Sequence, residues 1–309
     1  VMALSTLSGT SLEEVSAASK GTCWFQLYLC GGRETALRGI ARSKKAGFKG
    51  LILTMDTGVS GMRAMHARMK PMEAVAPFKG LGLMEMIELA LRKISLAPQM
   101  LPRLPWLIRH FRDGGLIQFV NVIDDKGEPM PYTDIGTQLA ASAVTWDDLK
   151  WIKEAWGNEH PLIVKGIHCA YDARKAEEMG ATGVVWSNHG GRQQDRVPPS
   201  LHMVAKEMPL VGDTRLDFMM DGGIRNGTDI LIALSYGLKA VGIGRVTAGG
   251  VGAGGHAGLT RAFEILSSDL DRAMRLVGVQ NVEEIRSRGS EIRRESLLAG
   301  DSHLPPFEC

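Results

Sequence analysis

The sequence predicts an α/β fold, a (β/α)8 TIM barrel with seven of its eight strands visible and a long insertion after the fourth. Three observations carry that expectation. Short, continuous apolar runs end in polar or glycine-rich turns and give way to helical patterns, the alternation of a parallel sheet covered by helices. Each strand-plus-helix repeat takes the roughly two to three dozen residues of a barrel unit. The chain of 309 residues, 44% hydrophobic, can bury one large core, so residues 1–309 read as a single domain.

The first visible strand is the short end Met2-Ala3-Leu4. Trp24 to Tyr28 follows, and Leu51 to Asp56 is the fourth strand in a count that places one more ahead of Val1. After the insertion come Leu162 to Gly166, Gly183 to Asn188, Phe218 to Gly223 and Ala240 to Arg245. Most are apolar without alternation, as in strands buried on both faces. Between them, Asp172 to Met179 alternates in charge and is closed by Gly180, while Thr228 to Tyr236 is apolar and closed by Gly237. A glycine just past the last turn takes the left-handed conformation that ends a helix. Seven strands leave a closed barrel one short. The eighth is expected before Val1, and a barrel open there should expose backbone edges and lose stability unless another chain supplies the strand.

His66 to Thr145 breaks the repeat and reads as an insertion, 66–145, long enough to cover the barrel mouth. Within it, Leu81 to Arg112 mixes Met, Leu, Ile and Trp with basic residues, and Pro98, Pro102 and Pro105 divide it into short helical pieces. An amphipathic lid packed on the barrel or on a neighbouring subunit is one reading. An interfacial helix in peripheral contact with a membrane, through 81–112, is the other. Asn121 to Pro131, with its Asp124 to Gly127 turn, reads as a solvated loop. The formal charge of +2 gives no reason to expect nucleic acid as a partner. Cys23, Cys30, Cys169 and Cys309 are too few and scattered for a disulfide framework or a zinc cage of paired cysteines, which points to a reducing, cytoplasmic setting. No apolar run reaches the about 18 residues of a membrane-spanning helix.

The chemistry concentrates at the strand ends. His189 leaves the C-terminal end of a buried strand and Arg192 follows one short turn later. A proton acceptor beside a fixed cation suits a substrate with a carboxylate next to an acidic or hydroxylated carbon. Asp56, at another strand end, is placed to orient the imidazole and stabilise its protonated form. Arg192 and Arg63 supply planar forks for a carboxylate. Tyr28 and Gln26 offer hydrogen bonds to substrate or cofactor, although strand-end packing alone explains either one. Lys165 directly follows Leu-Ile-Val, where an ammonium is costly to bury without an anionic partner or a cofactor that takes up negative charge. Asp221-Gly222-Gly223 with Arg225, and then Gly244-Arg245, are two glycine-opened strand ends that each add a guanidinium, the makings of a phosphate site at a helix start.

The motifs Gln26-Leu27-Tyr28, Leu53-Thr54-Met55-Asp56-Thr57, Val164-Lys165-Gly166, Ser187-Asn188-His189-Gly190-Gly191-Arg192-Gln193 and Asp221-Gly222-Gly223-Ile224-Arg225 resemble the FMN-dependent α-hydroxy acid oxidases and dehydrogenases. Glycolate oxidase, L-lactate dehydrogenases and mandelate dehydrogenase are members of that family. The similarity runs in order from Ser5 to about Arg286, outside much of the insertion. The resemblance implies an FMN prosthetic group and oxidation of an L-2-hydroxy acid to the 2-oxo acid. By the same resemblance, His189 is the active-site base, Asp56 its partner, Arg63 and Arg192 the carboxylate clamps, and Tyr28 a contact to the substrate hydroxyl. Lys165 then lies near the flavin N1/O2 edge, and Ser5, Gln26, Thr54 and Ser187 are further FMN contacts. Asp221, beside Gly222, meets the ribityl chain, and Gly223, Arg225, Gly244 and Arg245 hold the phosphate. The family habit also implies a homo-oligomer, and an electron acceptor that is oxygen, a quinone or a protein. Family members carry a first strand and another active-site tyrosine ahead of the point where this sequence begins.

Three other readings stand beside this one. The stretch from Phe119 through Tyr132-Thr133-Asp134 to Leu149 loosely resembles flavoenzymes of mycofactocin maturation, whose substrate is a peptide-derived precursor. Another FMN barrel, of the type 2 isoprenyl diphosphate isomerase kind, shares the phosphate site but has no use for two carboxylate-clamping arginines beside a histidine. A truncated, inactive barrel that acts through a partner or a membrane is the third.

Overall fold

Seven parallel strands pair in chain order in one sheet: β1 (Met2–Ser5), β2 (Cys23–Leu27), β3 (Leu51–Thr54), β6 (Leu162–Ile167), β7 (Gly183–Trp186), β8 (Asp217–Asp221) and β9 (Ala240–Gly242). These are the seven strands expected from the sequence. The computed structural model describes residues 1–59, 61, 84, 87, 94, 98, 101–112, 118–124, 126–131 and 143–293. The chain divides into two compact units, Val1–Gly61 with Phe119–Cys309, and Met62–Gln118.

Successive side chains of a strand point to opposite faces, and the two faces are distinct here. Phe25, Leu27, Leu51, Leu53, Leu162, Val164, Val184, Trp186 and Met220 join the large core under the helices. Ile52, Ile163, Val185 and Met219, with Trp24 against them, form a second cluster on the inner face of the barrel sheet. Two residues further along the same strands, on that inner face, stand Gln26, Thr54, Lys165, Ser187 and Asp221. Period two therefore stacks a polar layer on an apolar one, at the C-terminal strand ends.

Helices return the chain between strands. These are α1 (Leu12–Ala18), α2 (Gly32–Lys45), α4 (Trp146–Trp156), α5 (Ala170–Glu178), α6 (Ser200–Val211), α7 (Gly227–Ser235), α8 (Arg245–Val277), α9 (Val282–Ser287) and α10 (Gly289–Ile292). A short 3-10 turn at Leu101–Arg103 leads into α3 (Leu104–Arg112). The helix expected at 172–179 starts two residues earlier, at Ala170, where the carboxylate of Glu207 accepts the Ala170 N–H at 3.0 Å. It ends as expected, with Gly180 at φ +91° and the Ala181 and Gly180 N–H groups bonded back to Ala176 and Glu177. The helix α8 is interrupted at Gly254 and Gly255, whose dihedrals are not helical, so it is two helical arms in succession.

The expectation of a solvated loop over Asn121 to Pro131 is corrected. β4 (Gln118–Ile123) and β5 (Pro129–Pro131) form a two-stranded sheet, and only the turn at Asp124 to Gly127 behaves as read. Asn121 is buried because its side chain serves α1: its Oδ1 accepts the Leu12 N–H at 2.9 Å and its Nδ2 donates to the Thr10 carbonyl at 3.0 Å. Much of 66–145, with Tyr132 to Asp134, lies outside the described residues.

Candidate active site

The strand ends of the inner layer surround a cavity of about 560 Å³, walled by Ser5, Gln26, Lys165, His189, Arg192, Asp221 to Arg225, and Gly242 to Arg245, with Ile52, Val185 and Ile243 as apolar surface. Asp56, Tyr28, Thr54 and Ser187 do not line this cavity, but each lies within hydrogen-bonding reach of a side chain that does: His189 for Asp56 and Tyr28, Gln26 for Thr54, and Lys165 for Ser187. Arg63 lies outside the described residues.

The loop after β7 places the histidine. His189, Gly190 and Gly191 are three consecutive left-handed residues, at φ 55°, 65° and 73°. Glycine occupies that region freely, whereas a histidine there needs support. The Ser187 hydroxyl supplies it by accepting the His189 N–H at 3.0 Å. The imidazole Nδ1 meets Asp56 Oδ1 at 2.8 Å, so the hydrogen-bond network assigns the proton to Nδ1 and leaves Nε2 as an acceptor. The Tyr28 hydroxyl lies 3.5 Å from Nε2, at the edge of bonding distance. Asp56 itself reaches the histidine because Gly166, at φ +100°, leaves room: a Cβ there would lie 2.6 Å from Asp56 Cβ.

Lys165 is the hub of the polar layer. Its Nζ donates to Ser187 Oγ at 3.0 Å and faces Asp221 Oδ2 at 3.3 Å and Asp56 Oδ2 at 3.8 Å. Ser187 Oγ in turn donates to Asp221 Oδ1 at 2.5 Å. Among the described residues, Asp56 Oδ2 is buried without a hydrogen-bond partner, and this ammonium at longer range offsets its charge. On the other side of the mouth, Ser5 donates to Gln26 Oε1 at 2.9 Å and Gln26 Nε2 donates to Thr54 Oγ1 at 2.8 Å. These chains hold the polar groups in place before any ligand enters.

The two glycine-opened strand ends differ. After β8, Gly222 and Gly223 are left-handed at 86° and 85°, but the α7 start is self-satisfied: Asn226 caps the Asp229 N–H, and Asp229 Oδ2 accepts from the Arg225 and Asn226 N–H groups. After β9, Gly244 precedes α8 with no side-chain cap, and a Cβ on it would meet nothing within 4 Å. The bare helix start that attracts an anion is therefore at α8, with Arg245, whose Nη2 holds the Gly190 carbonyl at 2.6 Å.

Two side chains escaped the sequence reading as site residues. His168 donates from Nε2 to the Ser187 carbonyl at 2.9 Å, and Gln193 bridges two loops. His168 carries no motif, being the second residue past a glycine, whereas Gln193 stood within the quoted histidine motif without a role.

Fold and site together define a parallel α/β barrel whose mouth combines an anion-ready helix start, a lysine-centred polar layer and a histidine–carboxylate pair. The chain belongs to the FMN-dependent dehydrogenase family, whose model matches residues 1–291. It is 34% identical over 288 residues to the 2-hydroxyacid oxidase of Dictyostelium discoideum, covering 93% of this chain and 64% of that protein. Against the L-lactate dehydrogenase of Caulobacter vibrioides it is 35% identical over 291 residues, 91% of this chain and 70% of the relative. The pre-mycofactocin synthase of Mycobacterium tuberculosis is 32% identical over 287 residues, 92% and 68% of the two chains. Among solved structures, the monotopic membrane protein (S)-mandelate dehydrogenase matches with a TM-score of 0.75 and 28% identity, over 92% of this chain and 70% of that one. The chain thus spans about two thirds of the length of these relatives.

The residues present fit the family's cofactor. An anionic end would meet the uncapped α8 start and its arginine, and hydroxyls would meet Asp221. A flat ring with a polar edge would lie between Ile52, Val185 and Ile243 and the Ser5, Gln26 and Lys165 groups.

Proposed function

We propose that this chain holds FMN at the barrel mouth and oxidises a small, lactate-like L-2-hydroxy acid to the 2-oxo acid. The observation that carries the proposal is the His189–Asp56 pair, with Nε2 left as the acceptor, beside Arg192 in the wall of a cavity that Gly244 and Arg245 of the uncapped α8 start also line. FMN, when bound, supplies the two-electron acceptor. Gly223, Arg225, Gly244 and Arg245 would hold its phosphate, Asp221 and Gly222 its ribityl chain, and Ser5, Gln26 and Lys165, the last two hydrogen-bonded to Thr54 and Ser187, the polar edge of its ring.

Arg192, with Arg63, would bind the substrate carboxylate and fix the orientation of C2, so that much of the rate gain comes from positioning. The oxidation removes two electrons and two protons: both electrons and one proton would pass to bound FMN, and His189 Nε2 would take the other proton while Asp56 stabilises the imidazolium. The Tyr28 hydroxyl would meet the substrate hydroxyl. Lys165 would offset the negative charge that collects at the cofactor on reduction. Residues 1–309 as one FMN-binding domain with 66–145 inserted, a homo-oligomeric state, a cytoplasmic setting, and oxygen, a quinone or a protein as electron acceptor belong to the same proposal.

The test is a visible spectrum of the chain with FMN, recorded without oxygen before and after L-lactate, glycolate and L-mandelate. Bleaching by one of them is the expected result. His189→Gln should keep the flavin and lose the bleaching; unchanged reduction kinetics would remove His189 from the mechanism. Flavin that binds but resists all three acids would favour the second reading, a larger peptide-derived substrate, which the similarity to pre-mycofactocin synthase supports. A peripheral membrane contact through 81–112 draws support from the similarity to (S)-mandelate dehydrogenase, a monotopic membrane protein, and from the exposed Met84, Ile87, Ile94, Leu101, Leu104 and Ile108. Flotation with liposomes tests it. Among the described residues no helix is long and apolar enough to cross a membrane.

A further inference from the structure

We infer that Gln193 is a positioning residue, a crossbar that sets the distance between the loop carrying His189 and Arg192 and the loop carrying Asp56. The inference rests on the proposed reading of the site and assigns a role to a side chain outside the cavity wall.

The loop after β3 leaves the sheet at Asp56. The last ladder bond of that strand is the Met55 N–H to the Lys165 carbonyl at 2.9 Å, so the Asp56 carbonyl has no strand partner to hold it. Gln193 supplies one: its Nε2 donates to the Asp56 carbonyl at 3.1 Å, and its Oε1 accepts the Gly61 N–H at 3.3 Å. One amide thus satisfies the carbonyl that opens this loop and the N–H of Gly61 five residues further along it. A neutral amide side chain offers a donor and an acceptor side by side in this way.

The backbones touch at the same place. A Cβ on Gly61 would lie 2.5 Å from the Arg192 carbonyl oxygen and 2.6 Å from both the Cα and the carbonyl oxygen of Gln193. Glycine at 61 therefore lets the two loops meet, and the Gln193 amide fastens them. The second point of contact is the 2.8 Å bond between His189 and Asp56. With that bond alone, the Asp56 loop would be free to pivot about the carboxylate. With the crossbar at Gln193, four residues past His189, both the histidine and the Arg192 backbone are held relative to Asp56. A shift on the order of 1 Å in such groups costs up to about 100-fold in rate.

The test compares Gln193→Met, which keeps the volume and removes both hydrogen bonds, with Gly61→Ala, which pushes on the same contact from the other loop. Three quantities are read. The first is the low-field proton resonance of the His189 Nδ1–H in the chain without flavin, assigned by its loss in His189→Gln. The second is FMN affinity from flavin fluorescence, and the third is the rate of anaerobic bleaching by whichever hydroxy acid reduces the parent flavin. The expected result is a broadened or lost resonance and a roughly 10- to 100-fold slower reduction in both variants, with FMN affinity within about twofold. The double variant should be no worse than the more damaging single one, because both break one contact. A sharp resonance and an unchanged rate in Gln193→Met would overturn the inference. So would a loss of FMN affinity in step with the rate, which is what a general structural role gives. If no hydroxy acid reduces the parent flavin, the proposed function fails, while the resonance comparison still decides the role of Gln193.

Discussion

At the scale of single residues, the site depends on backbone that most side chains avoid. His189 is left-handed and is held by Ser187 behind it and Asp56 beside it. Gly166 shows the same dependence from the other side, since its φ of +100° and its close approach to Asp56 both exclude a side chain. Gly166→Ala should therefore cost about 1–3 kcal/mol in a urea titration. It should also slow flavin reduction by roughly 10-fold or more through displacement of Asp56. An alanine that left both unchanged would show that Asp56 reaches the histidine by another route. The sequence named His189, Asp56, Lys165 and Arg192 because their chemistry is written in their residue types and strand-end positions. It did not assign Gln193 or His168, whose roles are bonds to loops 132 and 19 residues away in the chain.

At the scale of elements, strands were legible because continuous apolar runs with period-two layering have few alternative structures. Helix ends were legible where glycine sits at the C′ position, as at Gly180 and Gly237. The β4–β5 pair was not legible: its strand carries a buried Asn121 whose polarity is neutralised by α1, a partner more than 100 residues away. The same corner carries an ionic contact that can be titrated. Arg42 on α2 makes a two-pronged bond to Glu13 on α1, at 2.9 and 2.7 Å, and also donates to the Val120 carbonyl of β4 at 3.1 Å. Hydrogen bonding to Arg42 holds the Glu13 carboxyl below its ordinary value, against a smaller opposing effect of burial. A depressed carboxylate contributes stability above its unfolded value and loses it as pH falls through the lowered folded one. Glu13 is about half exposed, so the contribution is small, about 0.2–1 kcal/mol. Urea titrations of Glu13→Gln should show that deficit at neutral pH and its disappearance in acid. A deficit that persists after protonation would mean the contact is packing rather than charge.

At the scale of the whole molecule, the cavity proposed to hold the cofactor draws on all seven strands of the barrel sheet and on neither strand of the β4–β5 pair, so ligand binding and stability should be coupled. FMN at a hundredfold excess over its dissociation constant should add about 2.7 kcal/mol to unfolding. Riboflavin at the same concentration should add less, because it lacks the phosphate proposed to meet the α8 start. Calorimetric melting curves with each ligand measure the difference, and Arg245→Met should narrow it. Equal shifts for the two ligands would place the anion elsewhere. By itself the sequence determined the parallel barrel, its strand order and the residue types at the strand ends, because apolar periodicity, glycine punctuation and the cost of burying charge act locally along a chain. Tertiary structure decided which glycine-opened strand end is bare, which loops Gln193 joins and which partners Lys165 has. Each of these depends on distance between groups far apart in sequence, and electrostatic and hydrogen-bond energies are set by that distance.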